Sequence, residues 1–283
     1  MLQVARLAPK QLGESRDLVA AFLHGRLNPD GGFQDRAGKS DLYYTVFGLE
    51  ALTAIHEPLP STAVSAFLRQ FHDGDGLDFV HLCCLARCWA NVSRDSSDIP
   101  ISQILLRLES HRIPDGGFGS AYRSFLALGA YQDLRTPMPE PDRLLRSLQG
   151  LRARDGGYAN TPGEPHGITT VTAAAAILFK ALGSTIDPHL SVWLLDRCHS
   201  SGGFLATPSA PVPDLLSTAT GLHALAAMHA PLNGVYETCL DFVDSLWTNR
   251  GGFYGSWLDD TLDCEYTYYG LLTLGHLTVA APV

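Results

Sequence analysis

Two groups of charged side chains in this 283-residue sequence are suited to chemistry. Arg36 and Lys39 lie in a polar loop, where a basic pair either binds an anion or is simply solvated. Asp263 and Glu265 stand two residues apart at the start of an apolar stretch and could share a proton if buried there. The alternative for Asp263 is structural, because an aspartate at such a place caps the free backbone amides of a helix.

These residues belong to a repeat that recurs along the chain. A Gly-Gly-aromatic sequence occurs roughly every 40 to 49 residues, with Asp73–Gly76 as a degenerate copy; the clear copies end at Phe33, Phe118, Tyr158, Phe204 and Phe253. Each copy follows an amphipathic stretch with apolar residues at helical spacing and precedes a more uniformly apolar one. Glycine permits the positive φ that a chain needs to leave one helix and reverse into the next. The pattern predicts helix pairs joined by Gly-Gly turns.

About six such pairs account for the whole sequence, so the predicted fold is all-α. We expect an α/α toroid, or α6/α6 barrel, that forms a single domain over residues 1–283. The more apolar second helices, rich in small residues, are expected to form the inner ring around a central cavity. An open solenoid is the alternative, but neither end of the chain resembles a polar capping repeat.

Composition argues against several classes of partner. The net charge of −9 and the pI of about 5.6 oppose a general affinity for nucleic acid or anionic membranes. No apolar stretch reaches the roughly 20 residues of a transmembrane helix. The N-terminal residues lack the hydrophobic core and cleavage site of a secretory signal. The sequence therefore predicts a cytoplasmic protein without a nucleic-acid partner or a transmembrane segment.

The Gly-Gly-Phe turn followed by a Thr-containing apolar helix resembles the repeat of protein prenyltransferase β subunits and of squalene and terpene cyclases. The resemblance extends over essentially the whole chain. It implies six inner and six outer helices around a cavity that binds an isoprenoid or an isoprenoid diphosphate, and also a candidate helical partner subunit. Candidate cavity-facing aromatics are Tyr43, Tyr44, Phe47, Tyr122, Phe125, Trp257, Tyr266, Tyr268 and Tyr269.

Resemblance to the prenyltransferases implies an anion site. There Gly-Gly-Phe-Gln precedes an Arg and a Lys that grip diphosphate, then an Asp and a Cys-Tyr pair. Here Arg36, Lys39, Asp41 and Tyr44 match with one residue deleted, so Asp41 and Tyr44 would orient an anion held by the basic pair. His166 matches the diphosphate-binding histidine of a Glu-x-His-Gly segment, although it lies three repeats after Arg36 rather than one before.

The same resemblance raises the question of zinc. Asp41 matches a family zinc ligand, but the usual Cys ligand is replaced by Tyr43. His81 stands in the next repeat in register with Tyr44, and the family places its histidine ligand near that point. Because a zinc site needs three or four ligands, Asp41 and His81 leave zinc as an open possibility for the cofactor.

Resemblance to the cyclases implies a different chemistry. Those enzymes use an Asp-rich motif ending in Asp-Thr to protonate an alkene or epoxide, and Asp263 to Thr267 carries acids in comparable register. Asp259-Asp260-Thr261 falls six residues earlier, in a loop. Three hypotheses follow: a prenyltransferase-like enzyme, which we favour from sequence; a class II terpene cyclase-like enzyme with Asp263 or Glu265 as the acid; and a non-catalytic lipid-binding or protein-interaction scaffold.

Overall fold

The chain folds as a succession of helices joined by turns, and a computed structural model describes residues 1–93 and 100–281. In chain order the helices are α1 (Leu2–Ala5), α2 (Pro9–Leu12), α3 (Arg16–His24), α4 (Leu42–Ala54), α5 (Ser61–Arg69), α6 (Phe79–Val92), α7 (Ile101–Ser110), α8 (Ala121–Asp133), α9 (Pro141–Gln149), α10 (Thr169–Ala181), α11 (His189–Leu195), α12 (Leu215–Ala227), α13 (Tyr236–Leu246) and α14 (Cys264–Ala280).

The helices form two concentric rings. The inner ring consists of α4, α6, α8, α10, α12 and α14, each packed against the next, and α14 packs against α4. This last contact closes the ring and confirms the predicted toroid over an open solenoid. The outer ring consists of α3, α5, α7, α9, α11 and α13. Within the described ranges, no helix is both long and apolar enough to cross a membrane.

The Gly-Gly turns bring neighbouring outer helices into close contact. Gly31 has φ of 95°, and a Cβ added there would lie 2.0 Å from the carbonyl oxygen of Ala63 in α5. Gly251 has φ of 88°, and its added Cβ would lie 2.0 Å from the carbonyl oxygen of Leu18 in α3. Only glycine fits such a backbone approach at positive φ. The last turn thus meets the first outer helix and closes the outer ring.

In several turns the aromatic residue is held by the inner helix that follows. The Phe33 ring is fully buried, and its backbone N–H donates to Thr45 Oγ1 at 3.0 Å. Gly48 makes room for the ring, because a Cβ there would lie 2.3 Å from a Phe33 ring carbon. Phe204 repeats the hydrogen bond to Thr218 Oγ1 at 2.9 Å. The recurring Thr and Gly of the apolar segments therefore serve as a socket for the turn.

All six inner helices begin at one end of the barrel, which we call the N-terminal face. Side chains at neighbouring helix starts touch across it, as do Tyr43 of α4 and Glu265 of α14. Four of these helices have an aspartate whose carboxylate accepts a backbone N–H of the first turn; the caps are Asp41, Asp78, Asp214 and Asp263. The predicted N-capping role of Asp263 is confirmed.

Candidate active site

A cavity runs into the inner ring from the N-terminal face. Its volume is about 250 Å³, which is close to the lower end of the usual range for small-molecule sites, about 300–1,000 Å³. Its wall is mostly apolar, with small residues from α10 on one side and aromatic rings on the other. The lining aromatics are Tyr43, Phe47, Tyr122, Phe125, Tyr268 and Tyr269. The other three candidates from sequence, Tyr44, Trp257 and Tyr266, do not line it.

Glu265 is bonded to this aromatic wall at the N-terminal face, whereas Glu50 is an acid that lines the cavity at greater depth. Glu265 is the second residue of α14, and its Oε1 accepts a hydrogen bond of 2.6 Å from the hydroxyl of Tyr43. Burial raises the pKa of Glu265 to about 7, although the Tyr43 hydrogen bond opposes the shift. A carboxyl group with that pKa is largely protonated below neutral pH, and Tyr43 connects it to the cavity.

Asp263 has a different environment from that of Glu265. Its side chain is 2% exposed, with Oδ1 accepting the backbone N–H of Tyr266 and Oδ2 accepting Arg36 Nε at 2.8 Å. Arg36 also donates to Asp259 Oδ2 at 2.8 Å and lies over the ring of Tyr266. Asp263 thus has the contacts of a helix cap, although burial raises its pKa against the opposing effects of the Tyr266 N–H and Arg36. Arg36 bonds two carboxylates rather than being left to bind an anion.

The other predicted anion-binding residues do not join Arg36. Lys39 is exposed in the loop before α4. His166 is also exposed, at 63%, and stands 3.6 Å from Asp155 in the segment before α10. Since α10 lies opposite α4 in a ring of six, His166 is on the far side of the barrel from the basic pair. The structure therefore does not bring Arg36, Lys39 and His166 together into one diphosphate site.

Asp41 and His81, the two zinc candidates, do meet. His81 Nε2 lies 3.0 Å from Asp41 Oδ2, but its Nδ1 is bonded to Asp78 Oδ2 at 2.7 Å. Burial alone would lower the pKa of His81, but the two carboxylates together raise it, which favours imidazolium over a metal ligand. Within the described residues, no three His, Cys, Asp or Glu side chains cluster suitably for a metal. These residues do not fit zinc.

Sequence reasoning missed a polar layer deeper in the barrel. Glu50, Arg87 and His223 all line the cavity, and each is the ninth residue of its inner helix. At 1.5 Å per residue this ninth-residue layer lies about 12 Å from the N-terminal face. Arg87 bonds Glu50 and also Asp133, the latter at 2.9 Å. The available signal was a glutamate, an arginine or a histidine inside an otherwise apolar segment.

The family of the chain follows from a comparison with known protein families. The model of the prenyltransferase alpha-alpha toroid domain matches residues 8–73, 64–198 and 179–239. This chain belongs to that family. A search of curated proteins found no match.

Solved structures confirm the fold. The type II terpene cyclase MstE from Scytonema superposes with a TM-score of 0.64 at 15% identity, covering 96% of this chain and 99% of MstE. A variant of MstE in complex with its substrate, geranylgeranyl dihydroxybenzoate, has a TM-score of 0.63 at 15% identity over 97% and 98% of the two chains. Candida albicans protein geranylgeranyltransferase-I complexed with GGPP is 19% identical and covers 51% of this chain and 48% of that one, with a TM-score of 0.42.

Proposed function

We propose that this toroid is a cyclase that starts ring formation in an isoprenoid by protonating a double bond or an epoxide. The observation that carries the proposal is the buried Glu265, with a pKa of about 7, bonded to Tyr43 on the wall of an aromatic cavity. Such an acid remains partly protonated near neutral pH, which general acid catalysis requires. The full-length likeness to a cyclase supports the same reading at the level of the fold.

The proton reaches the substrate through Tyr43, because Glu265 does not itself line the cavity. For the transfer, the Tyr43 hydroxyl turns from Glu265 to the substrate and the direction of their hydrogen bond reverses. Protonated Glu265 then donates its proton to the Tyr43 oxygen, while Tyr43 passes its own hydroxyl proton to the substrate carbon or epoxide oxygen. A C–H or O–H bond forms, the π bond or C–O bond breaks, and a carbocation results. The aromatic rings of Phe47, Tyr268 and Tyr269, which line the cavity, then stabilise the positive charge.

The remaining predicted residues fit this chemistry in supporting positions. Asp263 caps the N-terminus of α14 and is bonded to Arg36, so it stabilises the start of the helix that carries Glu265. Prenyl transfer, the hypothesis favoured from sequence, would need basic side chains around a diphosphate, and Arg36 instead bonds two carboxylates. Among the three hypotheses, the geometry favours protonation by Glu265.

The test is turnover of geranylgeraniol and of geranylgeranyl dihydroxybenzoate in D2O, analysed by gas or liquid chromatography with mass spectrometry. Cyclisation gives a product with one new solvent deuterium and fewer double bonds. Glu265→Gln and Tyr43→Phe should each reduce the rate by about 100-fold or more. The wild-type rate should fall above pH 7 as Glu265 ionises.

Two control variants separate proton donation from general damage. Tyr131→Phe removes a tyrosine hydroxyl that donates a hydrogen bond of 2.6 Å to Glu109, in a place that does not line the cavity. Glu237→Gln removes an exposed charge. Both should keep the wild-type rate. Diphosphate release from geranylgeranyl diphosphate with an acceptor would instead establish a transferase. Stoichiometric lipid binding without any turnover would establish the non-catalytic alternative.

A further inference from the structure

The ninth-residue layer of Glu50, Arg87 and His223 is not used by the proposed proton transfer. It lies about 10 Å deeper than Glu265 and Tyr43, which are the second residues of their helices. A second chamber shares this layer with the main cavity and extends beyond it, where Asn91 and Gln132 contribute polar walls. The barrel interior therefore changes from aromatic near the acid to polar at depth.

The charge of this layer argues against a strongly anionic ligand. Among the described residues, Glu50 and Arg87 are the two side chains of formal charge that line the main cavity. Arg87 already bonds Glu50 and Asp133, and the α-amino group of Met1, whose pKa burial lowers, is the other positive group beside these two carboxylates. A diphosphate placed here would meet no surplus of positive charge in a buried site, which is strongly unfavourable.

His223 offers the layer a neutral hydrogen-bonding group. Its Nδ1 lies 3.1 Å from Nε2 of His276 on α14, which fixes the orientation of the ring. Burial lowers the pKa of His223 to about 2 and that of His276 to about 4, so both rings stay neutral at physiological pH. Within the described chain, Nε2 of His223 has no hydrogen-bond partner.

The remaining nitrogen of His223 suits a hydroxyl whichever way the histidine pair is protonated. In a neutral imidazole one nitrogen donates and the other accepts, so the bond to His276 decides the role of Nε2. A hydroxyl group can match either role, because it both donates and accepts. A fully anionic group can match only a donor.

We propose that the ninth-residue layer binds the polar end of the substrate, and that this end is an uncharged, hydroxyl-type group rather than a diphosphate. The isoprenoid chain then extends toward the N-terminal face, with its far end against Tyr43. This inference deepens the proposed function and rests on it for the direction in which the substrate lies. The preference for an uncharged end is a property of binding and can be measured without turnover.

The test compares the equilibrium binding of three probes to purified protein: geranylgeraniol, the hydrocarbon with hydrogen in place of the hydroxyl, and geranylgeranyl diphosphate. The wild type should bind the alcohol about tenfold or more tightly than the diphosphate. His223→Phe should weaken binding of the alcohol about three- to tenfold, the value of one neutral hydrogen bond, and leave the hydrocarbon unchanged. Tighter binding of the diphosphate would overturn the proposal.

Matched variants keep the result interpretable. His223→Gln retains a donor and an acceptor and should keep most of the alcohol preference. Thr53→Val removes a hydroxyl on α4 that bonds the Leu49 carbonyl outside the cavity, and should leave the binding of all three probes unchanged. An equal loss of alcohol binding in all three variants would refute a specific role for His223. Glu265→Gln should abolish cyclisation and keep the binding preference, so failure of the proposed function and failure of this inference give different results.

Discussion

Replacing Glu265 by glutamine should make the stability of the protein less dependent on pH. The pKa of Glu265 is raised from its ordinary value of 4.5 to about 7, so the folded state binds the proton more tightly than the unfolded state does. The favourable contribution of the neutral carboxyl is therefore complete below pH 4.5. It is lost as the pH rises through 7.

The size of the effect follows from the two pKa values. They differ by about 2.5 pH units, and each unit corresponds to 1.36 kcal/mol, so the wild type should lose at most about 3 kcal/mol between pH 4.5 and pH 8 through this group. Glutamine stays neutral at every pH and still accepts the Tyr43 hydrogen bond. Relative to the wild type, Glu265→Gln should thus gain stability steadily over this range, by about 1–3 kcal/mol at pH 8.

Urea unfolding of the wild type and Glu265→Gln, followed by circular dichroism at half-unit pH steps, measures this difference. Other titrating groups are common to both proteins and largely cancel. Glu237→Gln, which removes an exposed carboxylate on α13, should show a flat difference from the wild type. A flat difference for Glu265→Gln as well would mean that Glu265 is not a buried acid of raised pKa. Glu265 would then not be the proton donor.

Two further predictions concern the packing and the charges that position the site. Gly48→Ala should lower the free energy of unfolding by about 1–3 kcal/mol, since the added Cβ would lie 2.3 Å from the Phe33 ring. In the control Gly129→Ala, the nearest atom to the added Cβ is 3.5 Å away, so stability should be unchanged or rise by up to about 1 kcal/mol. Equal losses in urea unfolding would refute the role of Gly48 in receiving the Phe33 ring. Arg36→Gln should lower the free energy of unfolding at pH 7 by about 1–3 kcal/mol, because it removes the guanidinium from the buried carboxylate of Asp263. Substituting the exposed Lys39 by glutamine should change that free energy by no more than about 0.5 kcal/mol. Indistinguishable thermal midpoints for the two variants would contradict the ion pair.

Local sequence signals determined the fold because the same physical requirement recurs in each repeat. Glycines with positive φ reverse the chain and admit the next outer helix, and the Thr and Gly of the following apolar segment receive the turn aromatic. The pattern therefore predicts helix pairs, and the number of pairs predicts a ring. Cytoplasmic location, the single-domain assignment and a helical partner subunit stay predictions.

The candidate site could be predicted only in part, because its chemistry depends on which repeats become neighbours. Glu265 was recognisable from its place at a helix start, but its hydroxyl partner Tyr43 is 222 residues away and meets it only because α14 closes onto α4. Arg36 lay in an anion-binding pattern, yet the same closure places it against Asp259 and Asp263.

Sequence spacing by itself therefore established the helices and their order in the ring. The tertiary structure alone decided the ionisation of those side chains, because burial and partners from distant repeats set each pKa. Glu265 and Asp263 are two residues apart on one helix end, but the ring gives one a tyrosine hydroxyl and the other a guanidinium. Closure of the ring, rather than local sequence, separates the candidate proton donor from the helix cap.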